Sequence, residues 1–204
     1  PEFSLDTDRQ ARLVRPLYFD LLDEKDTAFA KKRLIQALDN YHWRVGTGFL
    51  STPFILYVLA EIDPEYAYRL LENEEKPGWL SMPKAGATTI WEDWEGPNSD
   101  NGKGGGIASL NHYSKGAVCE WVFEKMCGIK VAGENRFKIA PVPGGHFSHA
   151  GMTYDSVYGK VGCSWKKYAD GTYAYHILVP PNTTAEVSLP GCKAQTLPAG
   201  EYDL

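Results

Sequence analysis

The sequence predicts an α + β protein whose first half is helical and whose second half is a β-sandwich. In the first half, apolar residues recur at the three- and four-residue spacing of helices that bury one face. After Gly128 the chain consists of short runs rich in β-branched and aromatic residues, separated by Gly, Pro and Asn. Strand-length segments with frequent turn signals are typical of a sandwich. We therefore expect one domain over residues 1–130 and a second over residues 131–204.

Five segments carry helical signals, and each has a recognisable start or end. Pro53 and Pro64 occupy first turns, where proline is tolerated, and Gly128 is placed to end the last helix in the left-handed conformation. The predicted helices are Thr7–Leu22, Lys25–Tyr41, Leu50–Ile62, Pro64–Asn73 and Gly116–Cys127.

Six segments after Gly128 have the length and composition of strands. Asp170-Gly171 between two of them is a favourable hairpin turn. The predicted strands are Phe137–Val142, His149–Ser156, Gly159–Lys167, Thr172–Leu178, Ala185–Leu189 and Lys193–Tyr202.

Composition excludes several functional classes. The 204 residues carry a net charge of −5, so the chain lacks the basic footprint of a nucleic-acid-binding protein. No apolar run approaches the roughly 18 residues of a membrane span. Neither nucleic acid nor membrane is therefore an expected partner, and the sequence does not indicate a compartment.

The cysteines and histidines do not predict a metal site. Cys119, Cys127, Cys163 and Cys192 lack metal-ligand spacing, and we expect four free, mostly buried thiols. His146 and His149 lie in a loop-like segment without an acidic third ligand beside them, so solvated histidines are expected there.

The segment from Ala85 to Glu124 carries the functional signal. Three carboxylates and two tryptophans occupy the five consecutive positions of Trp91–Glu95, followed by the glycine-rich Gly102–Gly106 and the polar cluster Asn111–Tyr113. Aromatic faces pack against the C–H surface of a sugar ring, and carboxylates move protons at an anomeric centre. Glycines let the backbone approach a ligand closely. The pattern predicts a carbohydrate site.

The motifs of this chain resemble those of the bacterial α-L-rhamnosidases, which are inverting glycoside hydrolases with a ring of paired helices followed by a β-sandwich. The resemblance covers nearly the whole chain, and TTIWE followed about twenty residues later by NHY is its most specific part. The matching motifs are GTGFLSTPFILYVLAE, AYRLL, GATTIWEDWEG, SLNHYSKGAVCEW, PVPGG and YDSVYGKVGCSWKK.

The resemblance implies roles for individual residues. Glu92, the glutamate of TTIWE, is expected to be the general base that activates the attacking water, and His112 is expected to bind rhamnose hydroxyls. The general acid is expected upstream of this chain, which is then the C-terminal part of the enzyme and inactive alone. The implied substrate is a rhamnose-containing glycoside or polysaccharide, with no cofactor and no metal. Asp93 and Glu95 stand where the family usually has arginine and aspartate, which leaves substrate preference open.

The remaining candidates have two readings each. We expect one of Trp91 and Trp94 in the sugar site and the other in the core, without deciding which. Asn111 fits the entry to a helix or the lining of the site equally well. Two further tryptophans, Trp79 and Trp121, are expected in the core, and Glu120 on the outer face of a helix.

Two other functions remain open at this stage. The first is a different enzyme, either another helical-ring glycosidase or a polysaccharide lyase. A lyase uses a Tyr/His pair, which Tyr113 and His112 imitate, although the acidic Trp91–Glu95 run disfavours a uronate substrate. A non-catalytic carbohydrate-binding or structural protein would bind sugar through aromatics without using Glu92. Cutting a helical ring also exposes apolar faces, which favours association between copies of the chain.

Overall fold

The computed structural model describes residues 4–98 and 108–204. The chain divides into two compact units, residues 1–118 and 119–204. Helices fill the first unit, and strands make up most of the second, which confirms the predicted order. The glycine-rich stretch Gly102–Gly106 lies outside the described residues. The predicted domain boundary near residue 130 stays a prediction.

Helices of the first unit pack in sequence order. α1 packs against α2 and α3, and α3 packs against α4. No helix among the described residues is long and apolar enough to cross a membrane. The helices are α1 (Gln10–Tyr18), α2 (Glu24–Asn40), α3 (Ile55–Ile62), α4 (Pro64–Leu71), α5 (Ser81–Lys84), α6 (Tyr113–Gly116) and α7 (Val118–Trp121), with a 3₁₀ turn at Gly96–Asn98 and a π-helical turn at Val122–Met126.

Side-chain caps explain where two of the helices begin. The Asp23 carboxylate accepts the Asp26 N–H (2.8 Å) ahead of α2, and the Asp63 carboxylate accepts the Glu65 N–H (2.9 Å) ahead of α4. Each cap satisfies a backbone donor that has no partner within its helix. Pro64 occupies the first position of α4, where it has no N–H to leave unpaired.

Three predicted helices differ clearly from the structure. The segment predicted as Thr7–Leu22 is helical only over Gln10–Tyr18. The segment predicted as Leu50–Ile62 becomes helical only at Ile55, because Thr52 donates its hydroxyl to the Gly48 carbonyl and holds a preceding turn. The segment predicted as Gly116–Cys127 is divided into α6, α7 and the π-helical turn. Gly128 does follow in the left-handed region, at φ 81°.

A patch of apolar rings is exposed on the first unit. Tyr18 stacks on Phe54 with ring centroids 4.2 Å apart, and Phe19 meets Phe54 edge-on at 5.2 Å. Leu21 and Phe29 are exposed as well. Exposed apolar side chains of this kind are the basis of the predicted association between copies of the chain. That association stays a prediction.

Six strands of the second unit form one mixed sheet. They are β1 (Ile129–Gly133), β2 (Arg136–Ile139), β3 (His149–Ser156), β4 (Gly159–Lys167), β5 (Tyr173–Val187) and β6 (Gln195–Asp203). The hydrogen-bonded order is β1-β2-β5-β4-β3, with β6 also paired to β5. All pairs are antiparallel except β2 with β5, which run parallel. The sheet is thus mixed rather than purely antiparallel.

Strand β5 joins two segments that the sequence separates. Thr172–Leu178 and Ala185–Leu189 were predicted as two strands because Pro180 and Pro181 lie between them. The structure has one strand, with a register shift against β6 between Val179 and Thr184. The prolines lie in this bulge, where the missing N–H groups break no regular pairing. The Thr183 hydroxyl donates to the Pro180 carbonyl (2.7 Å) and holds the bulge closed.

The thiols are free, as predicted, but only two are buried. Cys127 and Cys163 are buried, whereas Cys119 and Cys192 are exposed. Burial raises the pKa of the Cys127 thiol to about 11 and that of the Cys163 thiol to about 12. The buried thiols are therefore protonated at any physiological pH.

We expect selective alkylation of the two exposed thiols. Because the thiolate is the reactive form, at pH 8 only about a thousandth or less of Cys127 and Cys163 is reactive. Iodoacetamide should label Cys119 and Cys192 in the folded chain, as read by peptide mass spectrometry. In denaturant all four should be labelled. Rapid labelling of Cys163 in the folded chain would contradict the burial described here.

Candidate functional site

Two segments distant in sequence are joined by backbone hydrogen bonds in the first unit. The Glu92 N–H donates to the Ser109 carbonyl and the His112 N–H donates to the Ile90 carbonyl, both at 2.8 Å. The pairing runs between residues 90–92 and residues 109–112, and we call these the paired segments. The structure therefore brings Glu92 and His112 onto neighbouring stretches of chain.

Glu92 presents an exposed carboxylate on the first of the paired segments. Its Oε2 accepts the Ser109 N–H at 2.9 Å, in addition to the bond from its own N–H to the Ser109 carbonyl. The two bonds fix both the backbone and the side-chain orientation of Glu92. A carboxylate has about four lone-pair sites, so the group keeps acceptor capacity for a water molecule.

His112 is the N-cap of α6, and its imidazole ring makes the capping hydrogen bond. The Nδ1 atom accepts the Ser114 N–H at 3.3 Å, so the neutral imidazole carries its proton on Nε2. Phe49 meets the imidazole edge-on at 5.4 Å between centroids, and Tyr113 stacks on it at 5.2 Å. The ring is thus fixed with a single N–H donor remaining for a ligand oxygen. Helix capping and ligand binding are compatible uses of one side chain.

The two tryptophans of the acidic run have different surroundings. Trp91 is 7% exposed and its ring covers Gly96, where a Cβ would lie 2.2 Å from the indole. Trp94 is half-buried, and its ring meets the edge of Trp79 at 6.3 Å. One indole is therefore in the core, as expected for the pair, and it is Trp91. Trp94 is the one with accessible surface.

Lys115 is a residue that sequence reasoning missed. It is 9% exposed, its ammonium donates to the Glu92 carbonyl, and its Nζ lies 4.0 Å from the centroid of the Trp94 ring. Burial lowers its pKa, against the opposing charges of Asp93 and Glu92. Its place within the NHYSKGA motif was the available signal, but lysine is most often solvated and a burial of this kind leaves no pattern in the sequence.

The other polar residues have structural contacts of their own. Asp93 Oδ1 accepts the Glu95 N–H (2.8 Å), and Glu95 forms an ion pair with Lys76 (2.8 Å). Asn111 is exposed, and its hydrogen bonds to the Ser109 hydroxyl use backbone atoms. The Asn111 side chain is therefore free of these bonds, which agrees with either of its two readings. Its role in binding stays a prediction.

Trp79, Trp121 and Glu120 lie where the sequence predicts, the two tryptophans in the core and the glutamate at the surface. Trp79 and Trp121 are buried, and Trp79 donates its indole N–H to the Lys115 carbonyl at 3.1 Å. Glu120 is exposed. Within residues 4–98 and 108–204, no group of three or more His, Cys, Asp or Glu side chains is arranged to hold a metal ion.

Comparison with known proteins gives the class of protein first. Residues 2–126 match the family model described as the bacterial α-L-rhamnosidase 6-hairpin glycosidase domain, and residues 130–202 match that of the bacterial α-L-rhamnosidase C-terminal domain. The helical half therefore belongs to that glycosidase domain family. The chain belongs to the bacterial α-L-rhamnosidase family, as its motifs predicted.

Individual relatives agree with this assignment. An α-L-rhamnosidase of Formosa agariphila is 37% identical over 195 residues, which are 94% of this chain. The crystal structure of the Aspergillus terreus enzyme superposes over 99% of the chain with a TM-score of 0.84 at 32% identity. That of the Streptomyces avermitilis enzyme, complexed with L-rhamnose, superposes over 96% with a TM-score of 0.84 at 30% identity. The likeness confirms the predicted fold class.

The chain spans only a part of these relatives. It corresponds to 21% of the Formosa agariphila enzyme, 24% of the Aspergillus terreus chain and 21% of the Streptomyces avermitilis chain. Family membership is thus established for a segment about one fifth as long as the relatives.

A glycine substitution tests the packing beneath the site. Gly96 and Gly86 both have positive φ, 58° and 85°, but an added Cβ meets the Trp91 ring only at Gly96. Both alanine variants incur the left-handed penalty of about 1–2 kcal/mol, and overpacking adds about 1–3 kcal/mol at Gly96. We expect the Gly96→Ala variant to unfold at a clearly lower denaturant concentration than the Gly86→Ala variant. Unfolding is measured by tryptophan fluorescence. Equal effects would show that Trp91 does not pack on Gly96.

Proposed function

We propose that this chain is the C-terminal part of an inverting α-L-rhamnosidase that hydrolyses terminal α-L-rhamnosyl residues of glycosides or polysaccharides, with Glu92 as the general base. His112 donates its Nε2–H to a rhamnose hydroxyl. Trp94 offers a ring surface to the sugar, with Asn111 beside His112 as a further contact. The boundary between the helical part and the β-domain lies near residue 130.

The observation that carries the proposal is the fixed position of the Glu92 carboxylate. A general base must be ionised, accessible to water and held in one orientation. Glu92 is exposed and tied through both its N–H and its Oε2 to Ser109, on the segment that also presents His112.

Inversion requires a second carboxyl group. In inverting enzymes the acid and the base are separated by about 6.5–9.5 Å, which leaves room for the attacking water. Asp93 and Glu95 are the nearest carboxylates in sequence, and both take part in the structural contacts of the turn. The resemblance implies that the general acid lies upstream of this chain, and we keep that position in the proposal.

Replacing Glu92 by glutamine tests its role in the whole enzyme that contains this chain. Glu92→Gln should lower kcat by at least about 100-fold, the scale of lost general-base catalysis, with little change in KM because the amide keeps the shape. Glu95→Gln is the matched control, since it removes an exposed carboxylate three residues away that is paired with Lys76. Near-normal turnover of Glu92→Gln would transfer the role to another carboxylate.

By itself the 204-residue chain should not hydrolyse an aryl α-L-rhamnoside. General-acid assistance contributes about 10²–10⁴-fold, and the contacts that position the sugar are incomplete as well. The assay compares the chain with its Glu92→Gln variant by release of the aryl group. Activity that is present in the chain and lost in the variant would mean that an acid within these residues completes the pair.

A further inference from the structure

Lys115 is a buried cation whose side-chain contacts lie within the turn that carries Glu92. Its ammonium donates to the Glu92 carbonyl and lies over the Trp94 ring. Its backbone carbonyl accepts the indole N–H of Trp79. The Lys115 side chain therefore contacts the turn that carries Glu92, while its backbone carbonyl is bonded to the buried Trp79. No other described lysine is classed as buried.

Burying this ammonium is unfavourable unless its position brings a gain elsewhere. A carbonyl and an indole face compensate only part of the lost hydration of a cation, which agrees with the lowered pKa of Lys115. An apolar side chain of similar length would fill the same space without that cost. Stability alone therefore does not explain a lysine at this position.

The Glu92 carbonyl belongs to the same residue as the proposed catalytic carboxylate, so a bond to the carbonyl also restrains the base. The Glu92 N–H and Oε2 are held by Ser109 on one side, and the carbonyl is held by Lys115 on the other. The peptide planes before and after the Glu92 Cα are thus both restrained. With both planes fixed, the Cα–Cβ direction is fixed, and the bond from the Ser109 N–H to Oε2 then holds the carboxylate at the end of the side chain.

We propose that Lys115 is a positioning residue for Glu92, which fixes the peptide plane following the base and the indole of Trp94 at the same time. The proposal rests on the role proposed for Glu92. It assigns Lys115 no contact with substrate and no proton transfer. Its effect is on the precision with which the carboxylate meets the attacking water, where a displacement of about 1 Å costs up to about 10²-fold in rate.

The test is a double-mutant cycle between Lys115 and Glu92 in the whole enzyme that contains this chain. Lys115→Met keeps the length and apolar stem but removes the charge and the donor. We expect kcat to fall about 10–100-fold with KM within about threefold. In the Glu92→Gln background the same substitution should lower the residual rate by less than about twofold, because residues that act as a unit are not additive.

Two further variants exclude a general loss of structure. Lys115→Arg keeps the cation and the donor and should recover a large part of the lost kcat. Lys76→Met removes the lysine that holds the same turn through Glu95 at the surface, and should change kcat by less than about twofold, since exposed ion pairs contribute little. If Lys115→Met does not fold, Lys115→Gln, which is shorter and uncharged, replaces it with the same expectation.

The outcomes separate this proposal from the proposed function. A Lys115→Met enzyme with kcat within twofold of the parent overturns the positioning role, while loss of activity in Glu92→Gln still supports Glu92 as the base. Equal falls from Lys115→Met in the parent and in the Glu92→Gln background overturn it as well, because Lys115 then acts independently of Glu92. Normal turnover of Glu92→Gln removes the proposed function and this inference with it.

Discussion

Pairing between residues 90–92 and residues 109–112 is the constraint on which the site depends. It consists of few hydrogen bonds, from the Glu92 N–H to Ser109 and from the His112 N–H to Ile90, with the Thr89 hydroxyl bonded to the Leu110 carbonyl at its end. Each bond satisfies a group that would otherwise need water. Two of the bonds join backbone atoms and the third uses the Thr89 hydroxyl, so the pairing itself engages neither the His112 imidazole nor the second carboxylate oxygen of Glu92.

The charged groups of the site are divided by depth. The carboxylate of Glu92 lies at the surface and the ammonium of Lys115 lies beneath it. A base needs contact with water, whereas a group that restrains a peptide plane works best where water does not compete for its hydrogen bonds. Trp94 lies against Lys115 and supplies an apolar but electron-rich neighbour for the cation. The base is therefore exposed to water, whereas the cation is shielded from it.

Features with a local cause were predictable from the sequence. The left-handed Gly128 and the order of helices and strands follow from propensity and periodicity. The continuity of β5 through Pro180 was not predictable, because the local sequence signals oppose a continuous strand. The pairing with β6 on both sides of the bulge supports it. Tertiary partners decided that element.

The candidate site shows the same division. The motif placed Glu92 and His112 together, and the structure shows them on paired segments. Which tryptophan is buried depends on Gly96 and Met82, whose sulfur accepts the Trp91 N–H at 3.4 Å. The burial of Lys115 depends on Trp94 and the Glu92 carbonyl. Neither the burial of Trp91 nor that of Lys115 follows from a periodic sequence pattern, since the turns between these residues have no regular period.

The central place of β5 has a consequence for the order in which the chain folds during synthesis. Arg136 of β2 pairs with Thr184 of β5, and Lys167 of β4 pairs with Tyr173. Strand β5 therefore links the β1–β2 hairpin, made much earlier, to the β3–β4 hairpin that directly precedes it. The β1–β2 hairpin emerges from the ribosome with no partner for its other edge until β5 follows. Helices, whose contacts are local, form as they are made, while the sheet must wait. During that interval the exposed edge of β2 is the place where a nascent chain is open to pairing with the wrong strand.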